Sequence, residues 1–353
     1  MFKIKKNQRV TTSHYFLFLG AITLFIISFG WLFYELASSS DQEVGSNSSL
    51  QSPSQQNLYK SLKISDLRRA TYGSSQIRKV TDLGIIGGTR QYIFKYAVAD
   101  DNLTEEGLMT LPQSAPPASG YPILVLCHGY VNPWSYSTTK SYLSDMEFYS
   151  KKGFAVLKPD FRGQGLSIPD GQPEGAFYST AYNTDVLSLI SAAKQTSYLD
   201  KNNISIWGHS MGAYVALRAA VVDPDIKNVI LLSGPVGYPQ DMYQSYVAVS
   251  DTANPVAAYI RLNQLNTHGT PITNPSFWNA AAPINFVAST KANIQIHVGD
   301  QDATVPPHFS ADLDSALSAA NKPHGYFVYA GGLHGLVAER SQIWQRSLAL
   351  LEK

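Results

Sequence analysis

From residue 123 to the end of this 353-residue chain, short apolar runs alternate with helical stretches. That alternation limits the possible folds more than any other feature. Residues 123–126, Ile-Leu-Val-Leu, are continuously apolar, as expected for a strand covered on both faces. Further strands are expected at 154–157, 204–207, 229–232, 294–298 and 326–329. Helices are expected at 136–151, 184–195, from Met211, at 308–319 and from Ser341. In the second helix Val186, Leu189, Ile190 and Ala193 mark one face at i, i+3, i+4 and i+7. Strands alternating with helices of this length imply βαβ units, a mostly parallel sheet, right-handed crossovers and helices on both faces. A different opening precedes this region. A helical start at 64–69 leads into strand-like runs at 77–86, 90–98 and 107–111, separated by turn residues, which predicts antiparallel N-terminal strands.

Inside the alternating region, Gly208-His209-Ser210-Met211-Gly212 separates the strand 204–207 from an apolar helix. A G-x-S-x-G pentapeptide in a strand–turn–helix context exposes the serine Oγ at the carboxyl edge of the sheet. The helix start behind it offers free amides to a developing oxyanion. A serine hydroxyl is a weak nucleophile and needs a base, usually a histidine oriented by a carboxylate. In this arrangement acid and base follow the serine in the chain. The histidines after Ser210 are His268, His297, His308, His324 and His334. His334 lies in Gly331-Gly332-Leu333-His334-Gly335, directly after a strand, where paired glycines permit a tight loop at the carboxyl edge. It is therefore the expected base. His268 falls in an irregular segment, His297 inside a strand, His308 at a helix start and His324 in a turn. The strand 294–298 ends in Gly299-Asp300-Gln301-Asp302, and either aspartate could face the site, the other capping the loop. For the oxyanion, the amide of Met211 pairs with that of Tyr130, which follows Cys127-His128-Gly129 at the end of the strand at 123. His128 is expected to shape that loop, and Cys127 to be a buried small apolar residue.

Composition narrows the field. Lys and Arg total 27 against 26 for Asp and Glu, a net charge of +1, which argues against a nucleic-acid binder. A single cysteine excludes an intramolecular disulfide framework and a cysteine-based zinc site. At the N-terminus, Lys3, Lys5, Lys6 and Arg9 precede residues 15–34, which carry no charge. At about 1.5 Å per residue that run spans roughly 30 Å, the hydrocarbon thickness of a bilayer. It exceeds the apolar core of a secretory signal peptide and lacks a good cleavage site. The expected organisation is a basic cytoplasmic segment at 1–14 and a transmembrane signal anchor at 15–36. A flexible Ser/Gln/Asn-rich tether at 37–58 and a catalytic domain at 59–353 follow. Positive charge before the anchor puts the catalytic domain on the extracytoplasmic side of the membrane as a single-pass protein. Residues 234–290 interrupt the alternation with many aromatics and are expected to form a lid or pocket wall.

Taken in order, these blocks resemble the α/β-hydrolase superfamily, and within it the catalytic domain of the prolyl oligopeptidase family and its dienelactone-hydrolase-like relatives. The resemblance rests on His128-Gly129, on residues 159–167 (Pro-Asp-Phe-Arg-Gly-Gln-Gly-Leu-Ser), on the Ser210 elbow, and on residues 299–306 followed by the His334 loop. Residues 281–286 also look like this family. The resemblance implies a serine peptidase or carboxylesterase that forms an acyl-enzyme and needs no metal or organic cofactor. The family's acid stands third after the glycine, with Val-Pro three and four residues later, which implies Asp302 and leaves Asp300 to cap the loop. The N-terminal β-propeller of the family's peptidases is not expected, because too few residues lie between tether and sheet for several blades of about 40 residues each. The substrate is thus expected to be a small ester or a peptide. A catalytically silent binding domain on the same fold is the remote alternative.

Overall fold

Among the described residues, nine strands form one sheet in the order β1-β2-β3-β5-β4-β6-β7-β8-β9. They are β1 Arg78–Ile86, β2 Thr89–Ala97, β3 Thr104–Leu111, β4 Tyr121–Cys127, β5 Ala155–Pro159, β6 Leu199–His209, β7 Ile226–Leu232, β8 Asn293–Gly299 and β9 His324–Tyr329. The pairs β1–β2, β2–β3 and β3–β5 are antiparallel, and every pair from β5 through β4 to β9 is parallel. Both expectations for the sheet therefore hold. The computed structural model describes residues 55–73, 75–99, 103–170, 175–246 and 255–353. The expected cytoplasmic segment, the transmembrane anchor and all of the tether before residue 55 lie outside the described residues. Among the described residues no helix is long and apolar enough to cross a membrane.

The apolar run of β4 works as its composition demands. Ile123, Val125 and Cys127 face one side, against Val186, Leu189 and Ile190 of one helix and Val215 and Leu217 of another. Leu124 and Leu126 face the other side, with Met146, Tyr149, Ile343 and Leu351. Each such side chain contributes roughly 1.5–3 kcal/mol on burial, so a strand with no polar face is stable only between two helical layers. The helices are α1 Gln55–Lys60, α2 Ile64–Leu67, α3 Leu143–Lys151, α4 Ala181–Lys194, α5 Met211–Val222, α6 Pro239–Tyr246, α7 Pro255–His268, α8 Pro275–Ala281, α9 His308–Ala319 and α10 Arg340–Leu351. Helices α4, α5 and α9 cover the first face of the sheet, and α3 and α10 cover the second.

Three expectations need correction. The helix expected over 136–151 starts only at Leu143, because Tyr142 adopts a left-handed conformation with φ 61°. Tyr136 and Thr138 are instead spent on hydrogen bonds to the buried Asp160 carboxylate. His324 opens β9 rather than sitting in the turn before it. The last residues of the expected tether belong to α1, where Leu58 and Tyr59 are buried against the body.

The interruption at 234–290 contains α6, α7, α8 and a 3₁₀ segment, Pro283–Ser289, and no strand among its described residues. Trp278 is fully buried, donates its indole N–H to Gly269 O at 2.9 Å and packs on Phe177 and Tyr178. With Leu62 and Ala281 it forms a small buried cluster apart from the main core.

Candidate active site

The turn between β6 and α5 is built by close packing. Ser210 sits at φ 53° and ψ −124°, a conformation that costs a non-glycine residue and persists only when its surroundings enforce it. Its amide donates to Leu232 O at 2.8 Å and its carbonyl accepts from Ala213 N at 2.9 Å. The flanking glycines are required sterically. A Cβ on Gly208 would lie 2.3 Å from Gly212 O, and one on Gly212 would lie 2.0 Å from Cys127 O. The same approach brings the end of β4, with Cys127 and His128, against the first turn of α5. Met211 N–H lies in that turn, where helix geometry leaves amides without an intrahelical partner.

The structure brings Ser210, His334 and Asp302 together. His334 Nε2 lies 3.0 Å from Ser210 Oγ, and His334 Nδ1 lies 2.8 Å from Asp302 Oδ2. The other carboxylate oxygen of Asp302 accepts from the amides of Thr304 and Val305, both at 2.9 Å. Burial pushes the Asp302 carboxyl up, but the hydrogen bonds from His334, Val305 and Thr304 outweigh it and hold the group below its usual range. Asp302 is therefore an anion, and it keeps the imidazole proton on Nδ1 and leaves Nε2 as the acceptor facing Ser210. Asp300 points elsewhere. Its Oδ1 accepts from Gly331 N at 2.7 Å, which ties the loop after β8 to the loop after β9. It does cap a loop, though that of the histidine, 31 residues on in the chain.

The remaining histidines have other partners. His268 stacks on Phe277 with ring centres 3.8 Å apart, His308 pairs with Asp241 and His324 with Asp314. His297 bonds Tyr329 Oη and the Gln295 side chain inside the sheet, and burial pushes it down to about 3. His128 is fully buried between Tyr136 and Phe161, each 4.6 Å away between ring centres. Burial, helped by nearby Lys158, lowers it to about 3, so the ring is neutral. Its Nδ1 lies 2.7 Å from Gly129 O and must carry the proton. That carbonyl belongs to the peptide whose N–H is Tyr130's. In a trans peptide the two groups point opposite ways, so holding the carbonyl aims the Tyr130 amide.

Two side chains at this edge escaped sequence reasoning. Tyr142 Oη accepts from Gly129 N–H at 3.0 Å and lies 2.7 Å from His209 Nδ1. His209 Nε2 in turn lies 3.0 Å from His334 O. The histidine was visible as the variable residue before Ser210, but nothing in the sequence paired it with a tyrosine 67 residues earlier.

The sequence model of the alpha/beta hydrolase family matches residues 124–340, from β4 to the start of α10. The chain belongs to this family. Among curated relatives, an Escherichia coli "Uncharacterized 31.7 kDa protein in traX-finO intergenic region" is 28% identical over 112 residues, 31% of this chain and 36% of that protein. The acylamino-acid-releasing enzyme of Mus musculus is 21% identical over 241 residues, 67% of this chain and 31% of that protein. The chain thus spans about a third of the length of these relatives. Among solved structures, the acetyl xylan esterase from Paenibacillus sp. R4 superposes with a TM-score of 0.57 at 17% identity, over 81% of this chain and 91% of that one.

Within this alpha/beta hydrolase, the segment 159–167 has a structural task. The Arg162 guanidinium bonds Asp185 Oδ1 at 2.6 Å through one nitrogen and at 3.1 Å through another, tying the segment after β5 to α4. Lys158, fully buried, donates to Tyr136 Oη and Thr138 O at 2.9 Å each, and burial lowers it to about 8. Together with Asp160 it anchors the loop after β4. Among the described residues no group of three or more His, Cys, Asp or Glu is placed to hold a metal ion.

Proposed function

We propose that this alpha/beta hydrolase is a serine hydrolase that cleaves acyl bonds of small esters or peptides through an acyl-enzyme on Ser210. The observation that carries the reading is the aligned contact from Asp302 through His334 to Ser210 Oγ on the strained elbow. In the first half-reaction Ser210 Oγ attacks the carbonyl carbon while His334 Nε2 takes its proton. The carbonyl oxygen becomes an oxyanion facing the amides of Met211 and Tyr130. Collapse of the tetrahedral adduct breaks the bond to the leaving group, which departs with the proton returned by His334. Water then attacks the acyl-enzyme, His334 again takes and returns the proton, and the acid is released with Ser210 regenerated. Each preorganised oxyanion donor is worth on the order of 10²–10³ in turnover in such sites.

A preference for small esters over peptides has separate support. Tyr130, Trp134, Leu333 and Val337 stand exposed on the loops after β4 and β9 that carry the site, a setting suited to an apolar acyl group. The uncharged run at 15–34 supports a single-pass anchor at 15–36, with 1–14 cytoplasmic and the domain tethered outside.

A fluorophosphonate probe tests the chemistry. The full chain should label, and Ser210→Ala should not. A panel of p-nitrophenyl esters and peptide anilides then separates ester from peptide substrates. A folded full chain that neither labels nor turns over any of them overturns the proposal. Retention in carbonate-washed membranes tests the anchor, and a mature soluble form starting near residue 38 would overturn it.

A further inference from the structure

The hydrogen bonds around Tyr142 and His209 have a single consistent direction. A carbonyl oxygen only accepts, so His209 Nε2, facing His334 O, carries the ring proton. His209 Nδ1 is then a bare acceptor, and the Tyr142 hydroxyl must donate to it. The hydroxyl oxygen is left to accept from Gly129 N–H, as it does. The path therefore runs from Gly129 N–H to the Tyr142 hydroxyl to the His209 ring to the His334 carbonyl, with every donor used once. Burial holds His209 down to about 4, so the ring keeps the neutral form that this pattern requires.

The three tied points belong to three different segments of the chain. Gly129 precedes Tyr130 after β4, His209 precedes Ser210 at the elbow, and His334 carries the imidazole that faces Ser210. The path also excludes alternatives at Gly129, where a Cβ would lie 2.8 Å from Tyr142 Oη and 3.0 Å from His209 Nδ1. Tyr142 reaches into this position from its left-handed backbone at the start of α3, with its ring edge on Trp207 at 6.0 Å.

We propose that Tyr142 and His209 are positioning residues that set the His334 loop and the oxyanion loop in register across Ser210. The inference rests on the serine hydrolase reading above. Neither side chain touches the reacting atoms. They act by holding the His334 backbone and the Gly129 peptide in the geometry that proton transfer and oxyanion binding require, where a displacement of about 1 Å can cost on the order of 10²-fold.

Kinetics of the full chain on the best ester of the panel test this. Wild-type labelling by fluorophosphonate comes first, since an unlabelled wild type overturns the reading of the site and not the relay alone. Tyr142→Phe keeps the ring and removes the hydroxyl, and its kcat should fall by about 10- to 100-fold with KM within about twofold. His209→Ala should lose as much. His209→Gln keeps an N–H near the position of Nε2 and should recover several-fold of the kcat lost in His209→Ala. Tyr142→Phe combined with His209→Ala should be no slower than His209→Ala, because one path is broken only once. Folded Tyr142→Phe and His209→Ala variants with kcat within about threefold of wild type would overturn the relay. So would losses that multiply in the double variant, or that appear in KM alone.

Discussion

Asp302→Asn isolates the orienting carboxylate with little steric change. Asp302 makes three contacts: one to His334 Nδ1 at 2.8 Å and two to the amides of Thr304 and Val305 at 2.9 Å. Asparagine can keep the last two through its carbonyl oxygen. Its amide nitrogen then faces His334 Nδ1 and donates to it. The imidazole proton is driven to Nε2, which faces Ser210 Oγ at 3.0 Å and can no longer accept the hydroxyl proton. Loss of the proper tautomer and of support for the imidazolium costs about 10⁴ in turnover in a well-studied triad, or about 5.4 kcal/mol at 1.36 kcal/mol per decade. The variant should melt close to wild type and turn over ester about 10⁴-fold more slowly. Asp300→Ala is the control. It removes the acceptor for Gly331 N–H, which loosens the histidine loop by roughly 0.5–2 kcal/mol, as expected for a lost cap, and leaves most of the rate. Ester turnover and thermal melts on both variants decide the matter. An inactive Asp300→Ala beside a normally active Asp302→Asn would refute the assignment.

Other outcomes follow from the packing. Gly212→Ala places a Cβ 2.0 Å from Cys127 O and must push the loop after β4 away from α5, so fluorophosphonate labelling should slow by about 10²-fold or more in a folded protein. Trp278→Ala empties a buried position and should cost about 3–5 kcal/mol in denaturant unfolding, as for other buried aromatics, with labelling of the remaining folded protein unchanged. His128, His209 and His297 are all held below the ordinary histidine value by burial, to about 3, 4 and 3. Their unfolded forms bind protons first as the pH falls, so the stability present above about pH 6.5 should drain as the pH drops toward 4 and below. A melting temperature that rises over that descent would contradict it.

What the sequence disclosed and what it hid divide along physical lines. Ser210 and His334 were legible because each needs a local pattern: glycines that relieve a tight turn, beside a strand or helix whose apolar period is visible. The core alternation along β4 was legible for the same reason. Asp302 could be separated from Asp300 only through the family's spacing. The structure shows why residue type alone could not decide, since both carboxylates accept backbone amides and differ in which loop they face. The segment 136–142 lies outside the helix that the sequence suggests over 136–151. Its backbone is bent away by long-range hydrogen bonds from Tyr136 and Thr138 to Asp160, which no window of sequence contains. Tyr142 stayed hidden for the same reason. Its partners lie 13 residues back and 67 residues ahead.

Three histidines crowd this edge, and their different environments decide which of them can move a proton. An imidazolium forming on His334 would be disfavoured by a second positive charge nearby. The His209 ring lies 5.0 Å from that of His334 between centres, close enough to matter. Burial keeps His209 neutral at any pH well above about 4, and His128 above about 3, so neither competes for the Ser210 proton nor opposes the charge on His334. His334 is the more open of the three and is the one whose ring faces a carboxylate held ionised by two backbone amides. The cost of burying two neutral rings therefore falls on stability in acid. The same neutral state lets His128 donate to the Gly129 carbonyl and lets His209 both accept from Tyr142 and donate to His334 O. Protonating either ring would replace a bare nitrogen by a second N–H. For His209 that nitrogen already accepts a hydroxyl proton. For His128 it is Nε2, buried without a hydrogen-bond partner. Removal from water is the largest cause of the depressed basicity of both rings, with nearby positive groups adding to it, and a change that admits solvent to either should loosen the loop it holds.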